Sequence, residues 1–196
     1  GLEKPKVINF LKDLDSTPKL KLKSVLSEAP DKLKTLFSLI CKIGEHSALV
    51  FCNHREAVDR ISALLWEMGL DHGVFHGGME QEDREKALLK FRNGTYRLLI
   101  TTDLASRGLD IPEIEYVIHY QLPHNEEAFL HRNGRTARMQ SGGTAYVIFA
   151  EGEKPLFLSD SIEVETLPEK DVIPENTDWV TVYIGAGRKD KVNKID

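Results

Sequence analysis

Three arginines and one histidine fall within the eight residues 131–138, which read His-Arg-Asn-Gly-Arg-Thr-Ala-Arg. So much positive charge in a short segment is costly unless anions meet it. The segment closes a helix that the sequence predicts over 125–132, with Asn125 as N-cap and Glu126 and Glu127 in the first turn. It precedes the apolar run 144–150, which reads as a buried strand. Guanidinium groups are planar, permanently charged and matched to phosphate oxygens. Arg135 and Arg138, spaced Arg-x-x-Arg, can aim both forks at one site, which suits the oxygens of a phosphoryl group under transfer. Read alone, the segment is equally a basic helix end in water.

A second segment, 101–112, reads Thr-Thr-Asp-Leu-Ala-Ser-Arg-Gly-Leu-Asp-Ile-Pro and directly follows the strand-like run 97–100. Chain leaving the carboxyl end of a buried strand is where open α/β sheets place ligands. Thr101, Thr102 and Asp103 supply hydroxyls and a carboxylate, Arg107 and Gly108 allow close backbone approach, and Asp110 offers an acceptor for a hydroxyl such as a ribose. Two further segments precede it. Residues 48–55, Ala-Leu-Val-Phe-Cys-Asn-His-Arg, read as a strand ending in polar residues, and 76–84, His-Gly-Gly-Met-Glu-Gln-Glu-Asp-Arg, combine a His-Gly turn with Gln-x-x-Arg. These four segments, in this order, resemble motif IV, the His-Gly and Gln-x-x-Arg segment, motif V and motif VI of the DEAD-box RNA helicases.

The elements that must position these residues alternate along the chain. A strand is predicted over 19–25, at a sheet edge, and Pro30-Asp31 opens a helix whose Leu33, Leu36, Phe37 and Ile40 form one stripe. Strand 48–51 leads into a helix lined by Ala57, Ile61, Leu64, Leu65 and Met68 and stopped by Gly69. A short strand at 74–75, a helix over 80–92 ending at Asn93-Gly94, and a strand over 97–102 follow. Strands at 116–120 and 144–149 flank the helix at 125–132. Strands alternating with helices imply an α/β fold with a mostly parallel central sheet covered on both faces. The resemblance implies the same architecture, a RecA-like three-layer domain.

The net charge of −5 looks unsuited to a nucleic-acid binder until it is divided along the chain. Residues 1–150 hold 20 basic and 20 acidic residues, 151–178 hold 2 and 9, and 179–196 hold 4 and 2, or 0, −7 and +2. The acidity is local. A balanced domain can hold a phosphate backbone through a few placed cations. The sequence contains neither a long apolar run for a membrane span nor a secretory pattern. Cys41 and Cys52 lack metal-ligand spacing and read as reduced thiols of a cytoplasmic protein. His72 and His76 have helical metal spacing, but Gly73, Gly77 and Gly78 argue against a helix there, so no metal site is expected.

The expected organisation is the end of an interdomain linker at 1–18, the RecA-like domain at 19–165, a connector at 166–178 and a truncated element at 179–196. Acidic and proline-rich punctuation over 151–178 suits a final helix and then the connector. Residues 179–191 resemble the first strand and basic loop of the small RNA-binding domain that follows the core in the DEAD-box protein A type of bacterial helicase. Their other reading is an extra edge strand with a charged tail.

No Gly-x-x-x-x-Gly-Lys-Ser/Thr loop occurs, nor any Asp-Glu-Ala-Asp, so the chain lacks the cradle that holds nucleotide phosphates. The resemblance therefore implies one half of an engine, in which an N-terminal RecA-like domain, not included here, binds ATP and Mg²⁺. It implies Arg135 and Arg138 as arginine fingers, Asp110 beside Gly108 at the nucleotide ribose, and Arg107, His131 and Arg132 as links across the closed cleft. It implies RNA contacts, mainly to phosphates and 2′-hydroxyls, from Asn53, Arg55, Gly77, Gly78, Arg84, Thr102 and Asp103. Asn133 and Ala137 depart from the motif, where an aliphatic residue and a glycine are usual, as does Met139-Gln140-Ser141 in place of an aromatic-Gly-basic turn. Two other functions share part of this pattern. A nonenzymatic RNA-binding module needs residues 53, 55, 84 and 102 but not Arg135, Arg138 and Asp110, while a DNA helicase or translocase of the same superfamily shares the fingers.

Overall fold

Runs such as Ala-Leu-Val-Phe-Cys and Leu-Leu-Ile-Thr-Thr carry side chains alternately to both faces of a sheet, so they are stable only where both faces are covered. In a computed structural model that describes residues 20–103, 114–136, 143–153, 158 and 162–182, every residue of β2 (Ala48–Cys52) and β4 (Leu98–Thr102) is buried. Among the described residues they join β1 (Lys21–Ser27), β3 (Gly73–Phe75), β5 (Tyr116–His119), β6 (Thr144–Ala150) and β7 (Glu163–Val164) in a seven-stranded sheet of order β3-β4-β2-β5-β6-β1-β7. Every pairing in it is parallel.

Helices α1 (Leu33–Ile43) and α2 (Arg55–Glu67) cover one face, where Leu36, Leu39, Val58, Ile61 and Leu65 pack with Val50, Ile100, Ile118 and Ile148. On the other face α3 (Gln81–Arg92) sets Phe91 against Leu49, Phe51 and Leu99, and α4 (Glu126–Asn133) sets Phe129 against Val147. This is the three-layer α/β arrangement expected. The helix stops predicted at Gly69 and Gly94 have φ of 83° and 76°, the left-handed conformation that glycine adopts without strain. Asn125 caps α4, its Oδ1 accepting from the Ala128 N–H at 2.8 Å. Among the described residues no helix is long and apolar enough to cross a membrane.

One expectation changes. The first strand is not at the edge, because β7 pairs along its outer side. Of 151–178, where the sequence predicts a final helix and then a connector, residues 154–157 and 159–161 lie outside the described residues; after β7 the chain runs along the amino-terminal ends of the strands. Glu165 accepts from Lys23 at 2.8 Å and Lys42 at 2.5 Å, and Ser38 donates to Asp171 at 2.9 Å. Arg97 donates to the Glu175 carbonyl at 3.2 Å, and the Thr95 and Thr181 hydroxyls meet at 2.7 Å. Complementary charge, rather than apolar periodicity, holds this strap, which is why a pattern search reads it as a connector. The two lysines hold the Glu165 carboxyl at about 2, well below its usual range. The expectations for 1–18 and for 183–196 lie outside the described residues.

Candidate functional site

A parallel sheet brings all its carboxyl strand ends to one rim, where the following helices begin. On this rim β2 delivers Asn53 and then Arg55, the first residue of α2, while β4 delivers Thr102 and Asp103. Strand β3 runs into His76, Gly77 and Gly78, and Arg84 lies in the early part of α3. The seven residues expected to face RNA thus come from three strand ends on one rim.

Behind this rim lies a buried cation. Arg132 of α4 is 1% exposed, yet it carries a full charge. Its Nε and Nη2 donate to Asp103 Oδ1 and Oδ2 at 2.6 and 2.7 Å, its Nη1 donates to the Gln121 carbonyl at 2.6 Å, and Nη2 also donates to Asn53 Oδ1 at 2.7 Å. The guanidinium lies 5.1 Å from the Phe51 ring centroid. A charge removed from water is tolerated only with such a set of partners. The sequence expectation that Arg132 itself spans a cleft therefore changes, since its side chain reaches no surface of this chain. It joins the ends of β2, β4 and β5 to α4 instead. Asn53 also turns inward, its Nδ2 donating to the Leu122 carbonyl at 2.8 Å, and Thr102 is buried.

The turn after α4 carries Arg135, half-buried, whose backbone N–H donates to the Arg132 carbonyl at 3.1 Å. The next residue is pinned: Thr136 donates its hydroxyl to the Ile114 carbonyl at 2.7 Å. Asn133 Oδ1 accepts from His119 Nε2 at 2.8 Å, and the imidazole stacks on Phe129 with centroids 4.6 Å apart. This pair accounts for the departure at Asn133, since a polar side chain in an aliphatic position has a buried donor opposite it. His131 is exposed, 3.7 Å from Glu127 one turn earlier. Arg107, Gly108, Asp110, Ala137, Arg138 and Met139-Gln140-Ser141 lie outside the described residues.

Burial, and then the nearby Arg132 charge, push the His119 imidazole down from 6.5 to about 3. Between those values the unfolded chain binds a proton that the folded chain refuses, so stability falls as pH falls from the upper value towards the lower. Buried His72 acts in the same direction. Glu165 loses its contribution only below its ordinary value of 4.5, as pH falls towards 2. Thermal unfolding between about pH 7 and 5 should show a midpoint that falls with acidification, with a shallower slope in His119→Gln. An unchanged slope in that variant would show that His119 does not titrate on unfolding.

On the rim itself, Arg55 lies over Gly78, where an added Cβ would come within 3.2 Å of its Cδ and Nη1. The Nε of Arg84 is buried without a hydrogen-bond partner, while its Nη2 donates to Gln81. His72 and His76 take separate partners, Ser62 with the Leu70 carbonyl for the first, Asp59 with the Gly78 N–H for the second. Among the described residues no group of three or more His, Cys, Asp or Glu side chains is placed to hold a metal. Burial raises the Cys41 and Cys52 thiols to about 11 and about 12, which keeps both protonated and unreactive. Sequence reasoning missed Asp59, Gln121 and His119. Only the polar character of His119 inside an apolar strand gave any signal.

Residues 31–140 match the helicase conserved C-terminal domain family, more than half of the chain. The chain belongs to that family, in its DEAD-box branch. Among its relatives, the ATP-dependent RNA helicase DRS1 of Saccharomyces cerevisiae is 35% identical over 93% of this chain, and the ATP-dependent RNA helicase DbpA of Escherichia coli is 31% identical, also over 93%. This DEAD-box domain spans 26% and 41% of the length of those two proteins. The E. coli DEAD-box protein SrmB, solved bound to regulator of ribonuclease activity A, superposes with a TM-score of 0.67 at 26% identity, covering 81% of this chain and 99% of that one. The RecA-like fold expected of a DEAD-box C-terminal domain is thereby established.

Proposed function

We propose that this domain is the closing half of an ATP-driven RNA helicase. It supplies Arg135 and Arg138 to nucleotide held by an N-terminal RecA-like domain, and it supplies half of an RNA path along the carboxyl rim. The observation that carries the reading is the Arg132 hub, which ties rim residues Asn53 and Asp103 to α4, whose following turn carries Arg135. A strand laid along the rim and a phosphoryl group met by the finger turn then act on one rigid body. ATP with Mg²⁺, bound by the other domain, supplies the scissile phosphoanhydride and the metal that screens its charge. The residues of this chain fit the complementary role. Arg135 sits on a turn whose backbone is fixed at Arg132 and Thr136.

On the RNA side, Arg55 and Arg84 meet phosphates, and the glycines of the 77–78 turn let a backbone approach closely. Contacts to phosphate and sugar bind without regard to sequence, and contact to the 2′-hydroxyl favours RNA over DNA. Asn53, Thr102 and Asp103 support that surface from behind. Reduced Cys41 and Cys52 suit a cytoplasmic protein. The test is turnover. The 196-residue chain alone is expected to hydrolyse no ATP, and adding the N-terminal half should restore RNA-stimulated hydrolysis. Robust hydrolysis by the purified chain alone would refute the division of labour, and equal stimulation by DNA oligonucleotides would refute the RNA assignment.

A further inference from the structure

His76 looks at first like an ordinary buried histidine, 6% exposed and paired with a carboxylate. Its partners determine more than that. The Gly78 N–H lies 3.1 Å from His76 Nδ1, and a backbone N–H can only donate, so Nδ1 must be the unprotonated acceptor. The proton of the neutral ring then sits on Nε2, which donates to Asp59 Oδ1 at 2.9 Å. Asp59 thus fixes both the tautomer and the ring plane, and the ring in turn fixes the amide of Gly78, two residues along the chain. The Met79 N–H closes the same turn on the His76 carbonyl at 3.2 Å.

The consequence appears on the rim. A Cβ at Gly78 would sit 3.2 Å from His76 Nδ1 and from Arg55 Cδ and Nη1, whereas one at Gly77 would meet nothing within 4 Å. The turn therefore packs inward on the imidazole through Gly78, carries Arg55 over it, and leaves Gly77 open. Asp59 and Arg55 lie one helical turn apart on α2, so a single helix sets both the ring and the guanidinium.

We propose that His76 is a positioning residue for RNA binding. Held by Asp59, it uses Nδ1 to hold the Gly77–Gly78 turn in the conformation that receives the strand beside Arg55. The proposal rests on the reading of the rim as the RNA path.

The closing experiment measures, in the full-length protein, the binding of a fluorescent single-stranded oligouridylate, with Arg84→Ala as reference and thermal midpoints alongside. His76→Ala is expected to weaken binding by about five- to tenfold, the effect of one lost hydrogen bond. His76→Asn keeps an acceptor within reach of the N–H two residues on and should recover most of the affinity. His76→Gln keeps a donor directed at Asp59 but no acceptor for Gly78, and should recover little. Nitrogen chemical shifts of His76 give a readout without RNA and should show the Nε2–H tautomer. Wild-type affinity in His76→Ala with a clear loss in Arg84→Ala would overturn the positioning role alone. Equal losses in the Ala, Asn and Gln variants that track their thermal midpoints would also overturn it. Wild-type affinity in Arg84→Ala would overturn the RNA path itself.

Discussion

Arg135→Ala in the complete two-domain protein is expected to lower the single-turnover rate of ATP hydrolysis by ~10³-fold or more, while RNA affinity without nucleotide stays nearly unchanged. The magnitude follows from what a finger does: it adds positive charge where charge develops on the phosphoryl oxygens, in a site from which water is excluded, and such groups contribute ~10³ to 10⁵ in rate. The selectivity follows from its place. Arg135 sits on the turn after α4, where its own backbone N–H and the Thr136 hydroxyl hold the chain to the Arg132 and Ile114 carbonyls. Arg135→Lys should recover little, because an ammonium keeps the charge but loses the planar fork. The same pair of substitutions at Arg138, outside the described residues, should behave alike. Exposed charges that merely solvate a helix end contribute ~0 to 1 kcal/mol. Turnover within about twofold of wild type in these variants would therefore return the segment to that plainer role.

Arg132→Met is expected to cost stability rather than chemistry alone. Breaking a buried ion pair by removing one partner costs about 3 to 5 kcal/mol, because the remaining charge is left without compensation. Asp103 keeps 33% of its side chain exposed, so water relieves part of that cost, and about 3 kcal/mol is the better expectation. For a chain of this size that lowers the thermal midpoint by roughly 6 to 12 °C. Arg132→Lys should remain well below wild type, since one ammonium cannot serve Asp103, Asn53 and the Gln121 carbonyl in the geometry of a planar fork. Replacing both charges, Arg132→Met with Asp103→Leu, should recover part of the loss. A midpoint for Arg132→Met within about 2 °C of wild type, the shift of less than 1 kcal/mol, would show that the hub is dispensable.

The layered fold was legible because it is written in periodicity. Alternating strand and helix patterns, the Asn125 cap and the helix stops at Gly69 and Gly94 are local signals, and each element forms close to where they place it. The rim was legible because strand ends are legible. What lies behind it was not. Arg132 has the same local signature as Arg135, and only the arrival of Asp103, Gln121 and Asn53 from three other segments makes one a buried hub and the other a half-buried turn residue. His76 reads as a glycine-rich turn residue until Asp59, 17 positions earlier, appears beside it. The strap misled for a related reason. Its anchors, Glu165 to Lys23 and Lys42 and Asp171 to Ser38, join residues more than 100 positions apart, and no window of sequence contains both partners.

The strap also gives the molecule a direction of approach. It carries Glu163, Glu165, Glu169, Asp171, Glu175 and Asp178 against Lys170, and it runs along the amino-terminal ends of the strands, across the sheet from the glycine turn, Arg55 and Arg84. Lys23 and Lys42 offset part of that charge, and the remainder faces water. On the proposed RNA path, a polyanion diffusing in from the strap side meets like charge before contact, which biases encounters towards the opposite rim. The acid excess that makes the whole chain an unpromising nucleic-acid binder on paper would then serve as an orienting field, acting on the rate of productive collision and weakening as salt shortens the Debye length.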